Sequence, residues 1–294
     1  MQQTALGRTG LTVSRLVLGG YPFGGVNHAH DWDPWSSEGR RTVLETVHHA
    51  LDRGITYIDT APAYGAGKSE ELIGEVMRSR RDECVLATKV AWEGMSRTEV
   101  VESVHASLRR LQTDRLDVVQ FHGGMFTPAD VEHILSGGPM EALAELKEAG
   151  IVRFIGVTAE EPWTARPFLD ADVDVFQLAY NFIYQAAARH VLNDTEAAGV
   201  AVVTMRTMTS GILQHLARDV APDLAGLDLF ELCLKFVLSD SRITAPIVGM
   251  RWSSEVDRNV DFVENYVPAV DLAHLPRMTA DVYRAQDAER GTHA

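Results

Sequence analysis

The sequence predicts an α/β fold, a (β/α)8 TIM barrel with an N-terminal hairpin and long βα loops at its C-terminal face. Three observations carry this reading. Eight short β-rich runs alternate with helical patterns, the signature of repeated βα units and a parallel sheet. Asp59, Tyr64, Lys89 and His122 each fall at or just past the C-terminal end of an apolar stretch, where a parallel barrel gathers its chemistry. A chain of 294 residues with 46% hydrophobic content can also bury the core of such a barrel, which commonly runs about 250 residues as one domain.

In chain order, the turn Gly7-Arg8-Thr9-Gly10 predicts a small hairpin that could plug the barrel floor. Strands are predicted at residues 16–19, 57–59, 85–89, 118–121, 154–157, 175–178, 201–205 and 243–248. Between them, residues 38–52 carry Val43, Leu44, Val47 and Leu51 at helical spacing, and residues 101–111 and 229–238 repeat the pattern. Three connections, at residues 21–37, 123–138 and 207–226, exceed the length of ordinary turns and are predicted to emerge on the face of the four polar residues. No low-complexity linker interrupts the pattern, so residues 1–294 read as one domain whose polar tail frays from about residue 281.

The formal net charge of −14 argues against a nucleic-acid partner, because phosphate contacts need clustered Lys and Arg, and it offers no attraction to anionic lipid. Cys84 and Cys233 lack C-x-x-C spacing and read as buried reduced thiols. The N-terminal stretch has no apolar run of signal-peptide length, and no segment approaches a membrane span, so a cytoplasmic protein is expected.

Proton donation to a carbonyl oxygen is the chemistry that an acid, a phenol, an amine and an imidazole support together. A phenol donates usefully near neutral pH only if its phenolate is stabilised, and Lys89 could supply the stabilising charge for Tyr64. Asp59 could keep Lys89 protonated and oriented, and His122 could hydrogen-bond the substrate carbonyl. The first long loop brings Trp32 and Trp35, and Trp92 follows Lys89 closely; these three predict an aromatic wall around the substrate.

Other motifs fail on inspection. GAGKS, from Gly65 to Ser69, imitates the end of a phosphate-binding loop, but Pro62 stands where its first glycine belongs; Lys68 and Ser69 more simply begin a helix. No G-x-G-x-x-G opens a strand–helix unit. His28, His30, Asp31 and Asp33 lack a second set of ligands with metal spacing, and no metal is expected.

The chain resembles the aldo-keto reductases over nearly its whole length. The resemblance rests on LGRTGLTVS (Leu6 to Ser14), LVLGG (Leu16 to Gly20), GITYIDTAPAYG (Gly54 to Gly65), SEELIG (Ser69 to Gly74) and APIVGMR (Ala245 to Arg251), reaching Asn259. It implies that Asp59, Tyr64, Lys89 and His122 form a catalytic tetrad for reversible hydride transfer between a nicotinamide cofactor and a small-molecule carbonyl or alcohol. It also implies cofactor contacts from Gly20, Tyr21, Gln177, Gly249, Arg251 and Asn259, with Arg251 on a ribose 2′-phosphate.

Departures from the family pattern accompany the match. Thr158-Ala159 stands where Ser-Asn often holds the carboxamide, Met205 replaces a stacking aromatic, and Arg206 could bridge the pyrophosphate or bind a substrate carboxylate. Ser253 or Ser254 is expected to cap the final helix. Glu255 stands where a neutral or basic contact is common; on an exposed helix it can turn away, so NADP(H) is expected to be favoured over NAD(H). Two other readings are a regulatory nucleotide-binding subunit and a redox-neutral epimerase or lyase with tightly held cofactor. The sequence assigns neither a particular substrate nor an oligomeric state.

Overall fold

A computed structural model describes residues 1–25, 32–215 and 226–267. Eight strands close into an all-parallel barrel: β3 (Val17–Gly19), β4 (Tyr57–Asp59), β5 (Val85–Val90), β6 (Leu116–His122), β7 (Val152–Ala159), β8 (Val175–Ala179), β9 (Ala201–Met205) and β10 (Ala245–Gly249), with β10 returning to pair with β3. The strand reading holds throughout, and the ends shift by up to two residues; residues 57–59 and 201–205 coincide with β4 and β9.

Each strand is buried on both faces because it packs inward on the barrel and outward on helices. Side chains alternate accordingly. Val17, Tyr57, Val85, Ala87, Val118, Val175, Val203 and Ala245 form an inner cluster, whereas Leu16, Leu18, Ile58, Leu86, Val119 and Phe121 join a second cluster beneath the helices. Helix α1 (Ser37–Asp52) shows how a helix seats there: Ser36 caps it, and Val43, Val47, Ala50 and Leu51 form its buried stripe. Burying each such valine or leucine stabilises the fold by roughly 1.5–3 kcal/mol.

The predicted hairpin is β1 (Gln3–Ala5) paired antiparallel with β2 (Thr12–Ser14). Leu6 and Val13 belong to the inner cluster, so the hairpin closes the barrel floor. Gly7 makes the approach possible: at φ +51°, its added Cβ would lie 2.6 Å from both the Gly199 oxygen and the Ala201 nitrogen. Arg8 then donates its backbone N–H to Gly199 at 2.7 Å and its guanidinium to the Val173 carbonyl at 3.0 Å.

Two helices differ from the sequence reading. Helix α3 (Arg97–Leu111) starts four residues before the predicted 101, because Ser96 and Glu99 form a reciprocal capping box. The connection at 123–138 is not a plain loop. It contains α4 (Pro128–Ser136), capped by Thr127 and Asp130, and α5 (Pro139–Glu148) follows directly. Helix α2 (Lys68–Arg80) begins at Lys68, as the rejected phosphate-loop motif implied, and the helix Leu229–Leu238 matches its predicted span. The predicted frayed tail, most of the candidate metal cluster (His28, His30 and Asp31) and part of the 207–226 connection lie outside the described residues. Cys84 and Cys233 are free and buried, and no described helix is long and apolar enough to cross a membrane.

Candidate active site

At the C-terminal ends of β4 and β5 the Lys89 ammonium lies 2.9 and 2.8 Å from the two carboxylate oxygens of Asp59, 2.8 Å from the Thr60 carbonyl and 3.1 Å from the Tyr64 hydroxyl. Asp59 and Lys89 are buried almost completely, so this is an ion pair withdrawn from water. Such a pair survives burial only when its remaining hydrogen-bonding capacity is also met. Here Thr60, Tyr64 and Gln120 meet it, Gln120 donating to Asp59 at 3.2 Å.

Tyr64 reaches the pair from the turn after β4, and the His122 ring stands edge to it with centroids 6.1 Å apart. On its other side Tyr21 makes an edge contact at 5.1 Å and is half exposed. The four polar residues therefore meet at one mouth.

Burial opposes the Lys89 charge, but Asp59 and Tyr64 outweigh it and hold the ammonium above its ordinary pKa. Burial likewise raises Asp59, against the pull of Lys89, Gln120 and Gln177. Tyr64 departs from the simple expectation of a lowered phenol: burial raises it, and Lys89 pulls it only part of the way back. The cluster thus holds a protonated phenol whose anion, once formed, would face a fixed cation. His122 is pushed down to about 4, first by burial and then by Lys89. It is a neutral imidazole near neutral pH.

The other predicted residues scatter more. Thr158 is buried, and its hydroxyl both accepts from the Gly123 N–H at 2.9 Å and donates to the Gly123 carbonyl at 3.1 Å, which anchors the loop after β6. Gln177 is buried beside Gln120, which donates to it at 3.0 Å. Gly20 donates its N–H to the Asp59 carbonyl at 2.7 Å, and its own carbonyl accepts from Ser69 at 2.8 Å. Met205 ends β9 half-buried. Arg206 follows at φ +56° and ion-pairs with Glu160 across the mouth.

The end of β10 leads into the helix Ser253–Glu264. Neither predicted serine caps it. Trp252 occupies the N-cap without a side-chain bond, and the Glu255 carboxylate reaches back to accept the Arg251 N–H at 2.5 Å. The Arg251 N–H, one residue before the N-cap Trp252, holds the carboxylate inward, which overrides the expectation that Glu255 turns to water. The Arg251 Nε is buried with no hydrogen-bond partner among the described residues, so this corner suits an incoming anion. Asn259 is buried one turn on, donating to the Glu255 carbonyl at 2.8 Å, and Gly249 packs so closely on Pro22 that a Cβ would come within 2.8 Å.

The three tryptophans do not share one surface. Trp32 is buried, donating its indole N–H to the Pro22 carbonyl at 2.8 Å and meeting Trp252 edge-on at 5.6 Å. Trp92 is buried against Phe126 at 5.4 Å and reaches the tetrad region through a 3.2 Å bond to the His122 carbonyl. Trp35 is 53% exposed. Sequence reasoning missed Gln120 and Glu160. For Gln120 a signal existed: it is a polar residue two positions before His122, on the same inward face of an apolar strand. Glu160 carried none.

Fold and site together define a parallel (β/α)8 barrel with a tyrosine-centred polar cluster at its mouth. The chain belongs to the aldo/keto reductase family, whose model matches residues 15–222, and is an oxidoreductase of that type. Aldo-keto reductase YhdN of Bacillus subtilis is 34% identical over 226 residues, covering 72% of this chain and 64% of that protein. Pyridoxal 4-dehydrogenase of Microbacterium luteolum is 28% identical, covering 91% of this chain and 94% of its own. Among solved structures, the aldo-keto reductase AKR11C1 of Bacillus halodurans in its holo form superposes with a TM-score of 0.75 at 26% identity, covering 95% of this chain and 96% of that one.

Proposed function

We propose that this protein reduces an aldehyde or ketone, or oxidises the corresponding alcohol, with a nicotinamide cofactor and with Tyr64 as general acid. The observation that carries the reading is the single Lys89 ammonium bonded at once to Asp59 and to the Tyr64 hydroxyl. A donor phenol needs its developing negative charge met in place, and a preoriented cation in a site shielded from water does so without reorganising. A nicotinamide cofactor, when bound, would supply the hydride for the carbonyl carbon. Tyr64 gives its proton to the carbonyl oxygen, Lys89 stabilises the resulting phenolate, and Asp59 holds Lys89 charged. Neutral His122 donates its ring N–H to the same oxygen and sets its angle.

Gln177, Thr158 and Met205 are the residues we assign to the nicotinamide end, Met205 in place of a stacking ring, Gly20, Tyr21 and Arg206 to the middle of the cofactor, and Gly249, Arg251, Glu255 and Asn259 to its adenosine end. The buried, unpartnered Arg251 Nε supports a 2′-phosphate there and hence NADP(H) over NAD(H). Glu255 limits that preference, since its carboxylate already occupies the helix N-terminus. Trp92, joined to His122, is the best supported of the three tryptophans for the substrate wall; Trp35 would act as an outer contact and Trp32 through the loop it anchors. The test is turnover of a panel of aldehydes and ketones with NADPH and with NADH, followed at the nicotinamide absorbance. No turnover of any carbonyl with either nucleotide, by protein that binds nucleotide, would refute the reading.

A further inference from the structure

We infer that Gln120 is a positioning residue for this reaction, tying the Asp59–Lys89 pair to Gln177 across the barrel interior. Gln120 lies on β6, two residues before His122, and its side chain is wholly buried. Its amide nitrogen donates to Asp59 Oδ1 at 3.2 Å and to Gln177 Oε1 at 3.0 Å. One NH2 group has two protons, and both are used, one toward β4 and one toward β8.

The position is built for this side chain. Gly156 of β7 lies opposite Gln120 in the parallel register, and a Cβ there would come 2.7 Å from Gln120 Cγ. Glycine in a strand interior weakens the strand, so its presence beside a buried amide is a cost that leaves room for Gln120. The amide carries a cost of its own. Its Oε1 accepts from no described residue, whereas a leucine or methionine would bury the same volume without an orphaned acceptor.

The inference rests on the reductase reading and adds a residue to it. The groups facing Asp59 are Lys89 from β5, Tyr57 and Tyr64 from its own strand and turn, and the amides of Gln120 and Gln177. Only Lys89 is cationic. By donating to the carboxylate, Gln120 favours its ionised form, and an ionised Asp59 keeps Lys89 charged beside Tyr64. By donating to Gln177 it also fixes the amide assigned to the nicotinamide, so one side chain aligns the proton donor with the cofactor.

Two variants test this, Gln120→Met, which keeps length and removes the N–H donors, and Gln120→Glu, which keeps shape. The first measurement needs no turnover: a 13C-carboxyl titration of Asp59 in wild type and variants. We expect its midpoint to rise by about one pH unit in Gln120→Met and further in Gln120→Glu, where two neighbouring carboxyls resist ionising together. The second measurement is the pH profile of carbonyl reduction, whose acid limb should rise by the same shift, with kcat falling about tenfold and nucleotide affinity weakening. Unmoved Asp59 titration and superimposable pH profiles, with only a lowered melting temperature, would make Gln120 a space filler and overturn the inference. If Gln120→Met does not fold, the isosteric Gln120→Glu decides alone. A wild type inactive on every carbonyl would defeat the reductase reading while the carboxyl titration still judged Gln120.

Discussion

The Glu255 carboxylate accepts the backbone N–H of Arg251 at 2.5 Å, which sets a negative charge at the N-terminus of the helix Ser253–Glu264 beside the guanidinium proposed to hold a ribose 2′-phosphate. The two residues therefore oppose each other in cofactor choice. Glu255→Gln removes the negative charge and should tighten NADP(H) binding several-fold while leaving NAD(H) little changed. Arg251→Ala should weaken NADP(H) selectively, by on the order of tenfold for the loss of a charge-assisted bond. Fluorescence titration of both nucleotides checks this; tighter NAD(H) binding by wild type, unaffected by Arg251→Ala, would reverse the assignment.

Tyr64→Phe keeps the ring that packs against Tyr21 and His122 and deletes only the hydroxyl. Turnover should fall by on the order of 10²- to 10⁴-fold with nucleotide affinity preserved. Lys89→Met should show a parallel loss, since the phenolate then lacks its cation. Steady-state kinetics beside nucleotide titration separates the two effects, and near-wild-type turnover by Tyr64→Phe would remove it from the role of general acid.

Burial makes His122 a reporter of stability against pH. Its folded pKa of about 4 lies below the ordinary value of 6.5, so between these values the unfolded chain binds the extra proton. The stabilisation is complete above pH 6.5 and is lost as pH falls toward 4, at most about 3 kcal/mol. His122→Asn should flatten the fall in melting temperature across this window relative to wild type. Parallel wild-type and variant curves would contradict it.

Glu70 and Arg110 form an ion pair of unequal burial, with Glu70 fully buried and Arg110 26% exposed. Thr88 also donates to Glu70 at 2.6 Å. Arg110→Met strands a carboxylate that water cannot reach and should cost about 3–5 kcal/mol. Glu70→Gln leaves a guanidinium that can turn to solvent and should cost less, about 1–3 kcal/mol. Chemical unfolding of both variants gives the order; the reverse order would show that packing, rather than the stranded charge, dominates.

The barrel was legible because its strands are short apolar runs buried on both faces, and where a polar residue ends the run, as Asp59-Thr60 and Arg206 do, Tyr57–Asp59 and Ala201–Met205 could be bounded from composition alone. Helix α4 was hidden for the opposite reason. Only Ile134 of its nine residues is buried, which leaves almost no periodic signal, although Thr127, Pro128 and Asp130 spell out its start. Strand ends told where Asp59, Lys89 and His122 would gather. They did not tell that Glu255 turns inward onto the Arg251 N–H, nor that the Trp92 indole is buried against Phe126. Loop side chains follow tertiary contacts that leave no local periodicity.

The seating of Gly7 and Arg8 on Gly199 and Ala201 bears on the order in which the molecule can be assembled. The hairpin pairs locally, yet the surface on which it docks does not exist until β9 has left the ribosome. A floor plug synthesised first must therefore wait for nearly two hundred residues, with Leu6 and Val13 exposed meanwhile, and contacts of such long sequence separation slow the final closure of the ring.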